Sequence, residues 1–252
     1  MEEIKKNTLI IVVPCFNESQ RIPTNEFISF LKKDNHTKIV FSDDGSTDNT
    51  IQVLKEIQNS NKDKVFIVSL NQNQGKAEAV REGVLFCFRN DLDFDSIAYL
   101  DADLSTSLEE CLFISNEINE NILFSFGSRI LKIDTNIERK LFRHLTGRII
   151  ATIISEMLRI TVYDTQCGCK VFKQSLAKEV FREKFISKWL FDVEIFYRII
   201  HLYDRVKIQN ISKEIPLKSW IAGAESKVKI TYFFRMWFDL FFIYRKYNGK
   251  KN

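Results

Sequence analysis

The segment of this sequence best equipped for chemistry is Asp101-Ala102-Asp103. Two carboxylates flank one small residue directly after the apolar run Ile97-Ala98-Tyr99-Leu100. At that spacing both can reach one hard cation, because Mg2+ typically takes one or two carboxylates together with substrate phosphates. A cation held there would neutralise charge on a departing diphosphate. The same triplet also occurs as two solvated loop aspartates. Its place just past a strand-like run favours the metal, so Asp101 and Asp103 are the expected ligands of Mg2+ or Mn2+.

Two further clusters are candidates. Asp43 and Asp44 precede Gly45, which suits a turn, since Asp bonds nearby backbone and Gly admits positive φ. Those carboxylates can also accept from a base N–H or from ribose hydroxyls. Gly75-Lys76 stands at the start of a helical stretch, where unpaired amides and an ammonium favour an anion.

Placing these residues together requires a frame, and the pattern supplies one. Thr8 to Val13, Lys38 to Phe41, Val65 to Leu70 and Ser96 to Leu100 read as short buried strands. Between them Thr24 to Lys33, Thr47 to Ile57 and Gly75 to Asn90 have helical spacing, with Ser46 or Thr47 as a cap for the second. Alternation of this kind implies an α/β fold with a mostly parallel central sheet and helices on both faces. Ligands of such sheets gather at the carboxyl ends of the strands. Asn17-Glu18, Asp43-Asp44 and Asp101-Ala102-Asp103 fall at three such ends.

After Ser105 the pattern changes. Helices are expected over Leu108 to Ile118, Ser175 to Phe181 and Val193 to Leu202, and two more within Glu138 to Leu158. Leu123 to Ser128, Val171 to Lys173 and Val206 to Pro216 read as extended, and the chain closes on an aromatic helix. With no clean linker, residues 1–252 form one expected domain. It divides into a nucleotide-binding half (1–105), an acceptor half (106–230) and an aromatic basic tail (231–252).

Composition excludes several classes. A formal net charge of +4 gives no nucleic-acid signal. The basic excess is local, from Lys227 to Lys251, and suits either anionic lipid or a solvated face. Five scattered cysteines suggest neither a disulfide framework nor a zinc site, which fits a reducing cytosol. Met1 to Lys6 lacks the apolar core of a signal peptide. Tyr232 to Tyr244 is interrupted by Arg235 and Asp239, so it reads either as a core helix with a basic tail or as a segment that lies on a membrane, and not as one that crosses it.

These residues carry a resemblance. Val13-Pro14-Cys15-Phe16-Asn17-Glu18-Ser19, Ser42-Asp43-Asp44-Gly45-Ser46-Thr47-Asp48, Asn73-Gln74-Gly75-Lys76, Asp101-Ala102-Asp103 and Phe126-Gly127-Ser128-Arg129 resemble family 2 glycosyltransferases of the GT-A fold. Asp164-Thr165-Gln166-Cys167-Gly168-Cys169-Lys170 and Phe191-Asp192-Val193-Glu194 are similar to the branch that glucosylates dolichyl phosphate. The resemblance implies that Pro14, Phe16 and Glu18 line the base pocket and that Asp43 and Asp44 contact uracil or ribose. Lys76, Asp101, Ala102 and Asp103 complete the nucleotide-sugar site. Arg129 and Arg143 would hold an acceptor phosphate, with Arg139 and Arg148 competing for the latter role. Asp192 and Glu194 would lie near the reaction centre, Asp192 as a fallback base. Phe16 stands where the family usually has Tyr, and Cys169 where the branch has Phe.

The implied reaction is inverting transfer of a hexose, glucose from UDP-glucose, to a polyprenyl phosphate by a peripheral enzyme on the cytoplasmic membrane face. Mannose or a non-lipid acceptor are alternatives. A nucleotidyltransferase would normally place a Gly-rich loop where Pro14 to Asn17 stands. A non-catalytic nucleotide-sugar-binding module would not need Asp164 to Lys170.

Overall fold

A computed structural model describes residues 7–130, 136–137, 141–220 and 230–248, with backbone alone at 136–137, 141–149 and 230–234. In chain order the elements are β1 (Leu9–Cys15), α1 (Thr24–Lys33), β2 (Thr37–Asp43), α2 (Thr50–Ser60), β3 (Val65–Ser69), α3 (Lys76–Arg89) and β4 (Ser96–Leu100). They continue with α4 (Leu108–Ser115), β5 (Phe124–Ser128), β6 (Asn136–Ile137), α5 (Leu141–Leu158), β7 (Cys169–Lys173) and α6 (Gln174–Val180). The last are α7 (Phe191–Tyr203), α8 (Arg205–Ile211), β8 (Ser212–Pro216), β9 (Ser219–Trp220) and α9 (Ile230–Asn248).

Seven strands form one sheet in the order β3-β2-β1-β4-β7-β5-β8, and β6 pairs with β9 in a second. Strand alternation divides the apolar side chains between two cores. Leu9, Ile11 and Val13 of β1 face one, with α1 and α4, while Ile10 and Val12 face the other, with α3 and α7. Helix α3 crosses β1 closely: a Cβ on Gly83 would come 2.5 Å from Val12 Cγ1.

The sheet is parallel except at one place. β7 runs antiparallel to both neighbours, with Leu100 opposite Cys169 and Phe126 opposite Lys170. The reversal brings the segment before β7, residues 164–168, to the edge where the parallel strands end. Without it that segment would lie at the opposite edge, far from Asp101.

Three sequence expectations change. Residues 141–158 form one helix rather than two. The expected extended region from Val206 is helical up to Ile211, because Asp204 accepts from the amides of Val206 at 2.8 Å and Lys207 at 2.9 Å and so caps α8. Helix α2 starts at Thr50, and Asp48, not Ser46 or Thr47, receives the Thr50 amide at 3.0 Å.

Candidate functional site

The site lies along the carboxyl edge of β1, β2 and β4. The loop after β1 is latched to the loop after β2. Asn17, with φ of 52°, donates its amide to Ser46 Oγ at 2.9 Å and accepts from the Thr47 amide at 2.8 Å. Glu18 donates its amide to Thr50 Oγ1 at 2.8 Å. This fixes Pro14, Phe16 and Glu18, all half-buried, along one wall.

Asp43 and Asp44 divide their labour. Asp44 accepts the Gln74 amide at 2.7 Å and the Gly75 amide at 2.8 Å, one on each oxygen, so it shapes the loop that opens α3. Burial raises its pKa, against the pull of those two amides and of Lys188. Gly45, at φ of 67°, passes so close that a Cβ would sit 2.7 Å from the Gln72 backbone. Asp43 bonds the Ser46 amide through Oδ2 at 3.2 Å, while its buried Oδ1 has no hydrogen-bond partner among the described residues. A buried acceptor without a donor costs on the order of 1–3 kcal/mol, and a base or ribose donor would satisfy it.

Asp101 and Asp103 flank a turn closed by the Leu104 amide on the Asp101 carbonyl at 3.1 Å, with Leu104 at φ of 49°. Lys76 places Nζ 2.5 Å from Asp101 Oδ1. Burial works against that ammonium, but Asp101 and Asp192 outweigh it and raise its pKa. Asp103 accepts from Ser105 Oγ at 2.7 Å through Oδ1 and from Arg21 Nη2 at 3.0 Å through Oδ2. Behind Asp101, Gly168 leaves room: a Cβ there would fall 2.0 Å from Asp101 Oδ2. Two hard carboxylates at one turn, each held by a half-exposed cation on a long flexible stem, are a donor set that suits Mg2+ or Mn2+. Among the described residues no group of three or more His, Cys, Asp or Glu could hold a metal. The remaining ligands of a cation here would come from substrate.

Across the site, Arg129 follows β5 and forms a fork with Asp164: Nε at 2.6 Å, Nη2 at 2.9 Å, and the Arg129 amide at 3.1 Å. Its guanidinium lies 5.4 Å from the centre of the Trp220 ring. Burial works to raise the Asp164 pKa, yet Arg129 brings it down to about 2. Arg139 lies outside the described residues, as do the side chains of Arg143 and Arg148 on α5.

Asp192, in the first turn of α7, accepts from Lys170 Nζ at 2.6 Å and from the Tyr99 hydroxyl, both on Oδ1. Lys76 Nζ lies 5.9 Å from the ring centres of Tyr99 and Phe191, which links this buried group to Asp101. Glu194 turns elsewhere. It is fully buried, accepts from the Ile186 amide at 2.7 Å, Arg198 at 3.1 Å and the Tyr247 hydroxyl at 2.8 Å, and so ties α7 to α9. Sequence reasoning did not single out Arg21, Lys170 or Tyr99. A lone Lys between Cys169 and Val171-Phe172 was the available signal for Lys170, since lysine is rarely buried unless paired.

A model of the Glycosyl transferase family 2 family matches residues 10–181. Curated relatives include the human dolichyl-phosphate beta-glucosyltransferase, 29% identical, covering 84% of this chain and 71% of the relative. The Saccharomyces cerevisiae protein of the same name is 30% identical, covering 88% and 69%. Among solved structures, Mycobacterium tuberculosis glucosyl-3-phosphoglycerate synthase in complex with Mn2+, UDP and phosphoglyceric acid superposes with a TM-score of 0.70 at 15% identity. That match covers 98% of this chain and 80% of the other. The same synthase with Mg2+ and UDP gives 0.68.

Proposed function

The chain belongs to glycosyl transferase family 2, and from that premise we propose that it transfers glucose from UDP-glucose to a polyprenyl or dolichyl phosphate with inversion at the anomeric carbon. The observation that carries this reading is the contact of Gly168 with Asp101, which sets an acceptor-side segment against the carboxylate pair. The names of the curated relatives support glucose and a dolichyl phosphate. The GT-A neighbours, described with UDP and with Mn2+ or Mg2+, support the donor and the cation.

In this reading Pro14, Phe16 and Glu18 wall the base, Asp43 Oδ1 receives a nucleoside donor, and Lys76 faces the diphosphate. Ala102 keeps the turn small enough for the sugar-nucleotide to lie against it. Asp101 and Asp103 hold Mg2+ or Mn2+, which when bound neutralises charge on the departing diphosphate. Arg129 orients the acceptor phosphate. Asp164 occupies its Nε and Nη2, which aligns the guanidinium and leaves Nη1 toward the acceptor. Arg143 is proposed as a second phosphate contact. A phosphate monoester has its second pKa near 6, so the nucleophile is largely anionic at neutral pH. Orientation therefore matters more than a strong base, and Asp192 takes the residual proton.

The lipid acceptor implies a membrane surface. Helix α9 buries Met236, Leu240 and Ile243 but exposes Trp237, Phe238, Phe241 and Phe242, with Phe238 65% exposed. Among the described residues no helix is long and apolar enough to cross a membrane. A peripheral seat on the cytoplasmic face, through these aromatics and nearby Arg245 and Lys246, is the proposed location.

A donor screen with Mn2+ or Mg2+, with and without a short polyprenyl phosphate, tests the function. The expected result is glucose transfer only when lipid phosphate is present. Asp103→Ala should abolish metal-dependent UDP binding, read by calorimetry. Full activity in that variant removes the metal assignment, and transfer to a soluble acceptor alone removes the lipid one.

A further inference from the structure

We propose that Lys170 and Tyr99 are positioning residues that fix Oδ1 of Asp192 and so aim its Oδ2 at the acceptor. The inference rests on the reading of Asp192 as a group at the reaction centre. Lys170 is 0% exposed, on β7 between residues that face the other core. Strand alternation turns it to the face where Tyr99, Phe172 and Phe191 pack. Moving an ammonium into such a place is costly unless it is paired and hydrogen-bonded. Its partners are few and directional: Asp192 Oδ1 at 2.6 Å, the Cys167 carbonyl at 2.8 Å, and the Tyr99 ring at 5.4 Å.

A purely structural pair would satisfy both oxygens of the carboxylate. Here Lys170 and Tyr99 both donate to Oδ1, and no described residue bonds Oδ2. Asp192 retains 6% exposure, so it is not sealed from the site. Lys76, which bridges to Asp101, stacks its ammonium toward the same Tyr99 and Phe191 rings, 5.9 Å from each centre. The arrangement therefore anchors one oxygen in the core and leaves the other without a bond from any described residue. The Cys167 carbonyl that Lys170 also holds fixes the ammonium from its other side, so its reach to Asp192 is directional.

In the step served by this geometry, an acceptor phosphate oxygen forms its bond to the anomeric carbon. The bond from that carbon to the diphosphate oxygen breaks, and its electron pair leaves with UDP. When the acceptor enters as the monoanion, its remaining proton passes to Asp192 Oδ2.

The test is a double-mutant cycle on kcat, with UDP-glucose and a short polyprenyl phosphate, using Lys170→Met, Asp192→Asn and the double variant. Thermal midpoints and UDP affinity with Mn2+ are read in parallel. Misaligning a catalytic group by about 1 Å costs roughly 10²-fold, so at about pH 5, where a phosphate monoester is mostly the monoanion, Lys170→Met is expected to lower kcat by that order with little change in KM for UDP-glucose. In the Asp192→Asn background the same substitution should cost nothing further, because its effect runs through the lost carboxylate. Tyr99→Phe keeps the ring and removes only the hydroxyl. It carries the same cycle if Lys170→Met fails to fold. Losses that multiply in the double variant, or an unchanged kcat in both Tyr99→Phe and a folded Lys170→Met, overturn the inference. Wild-type kcat in Asp192→Asn would instead overturn the reading on which it rests.

Discussion

Asp164 illustrates how a single carboxylate carries both stability and function here. Its pKa lies near 2 in the folded chain against 3.8 for the free side chain. A depressed carboxylate contributes stability that is complete above the unfolded value and is lost as pH falls through the folded one. The chain should therefore lose on the order of 2 kcal/mol between about pH 4 and pH 2 from this group. Asp164→Asn should flatten that limb in urea denaturation followed against pH. At the same scale, the sequence singled out Asp101 and Asp103 as candidates because their pattern is local: two acids, a small residue, a preceding apolar run. It could not divide Asp43 from Asp44. That division depends on which carboxylate the Gln74 and Gly75 amides reach, about thirty residues away. Glu194 misled for a related reason. It sits two residues from Asp192, and a helix turns such neighbours to different sides.

Elements were legible where they repeat a local pattern. The expected and observed bounds of α1 and β4 coincide, since each is a periodic run between clear punctuation. Strand direction was not legible. Nothing in Cys169-Lys173 says that it runs against its neighbours; that follows from the path of the preceding chain. Two glycines test the element packing. Gly83→Ala pushes α3 off Val12 and should cost about 1–3 kcal/mol of stability, as overpacking does, visible as a lower urea midpoint. Gly168→Ala should act differently. Its Cβ meets a carboxylate oxygen at the substrate-facing edge, so the expected outcome is weakened Mn2+-dependent UDP binding. Equal UDP affinity in Gly168→Ala and wild type would show that Asp101 relaxes without consequence.

At the scale of the whole molecule, α9 is fastened at its middle and at its C-terminal end. Asp239 accepts from Ser187 Oγ at 2.6 Å, and Tyr247 and Asn248 bond Glu194 and Tyr197. Phe238→Ser with Phe241→Ser removes exposed rings only. It should abolish flotation with anionic liposomes while leaving the thermal midpoint and transfer to a detergent-dispersed acceptor nearly unchanged. Flotation equal to wild type would end the membrane assignment. The placement of β7 between β4 and β5 has a further consequence, for the order in which the chain acquires its structure. β1 to β4 can pair as soon as they are made. β5, although made next, has no seat beside β4 until residues 169–173 arrive to fill the gap. Pairing across so long a span is slow relative to local contacts. During refolding, amides of β1 and β2 should gain protection from hydrogen exchange before those of β5 and β8. A ribosome-bound chain that ends before β7 would expose β4 as an unpaired edge, a template for aggregation.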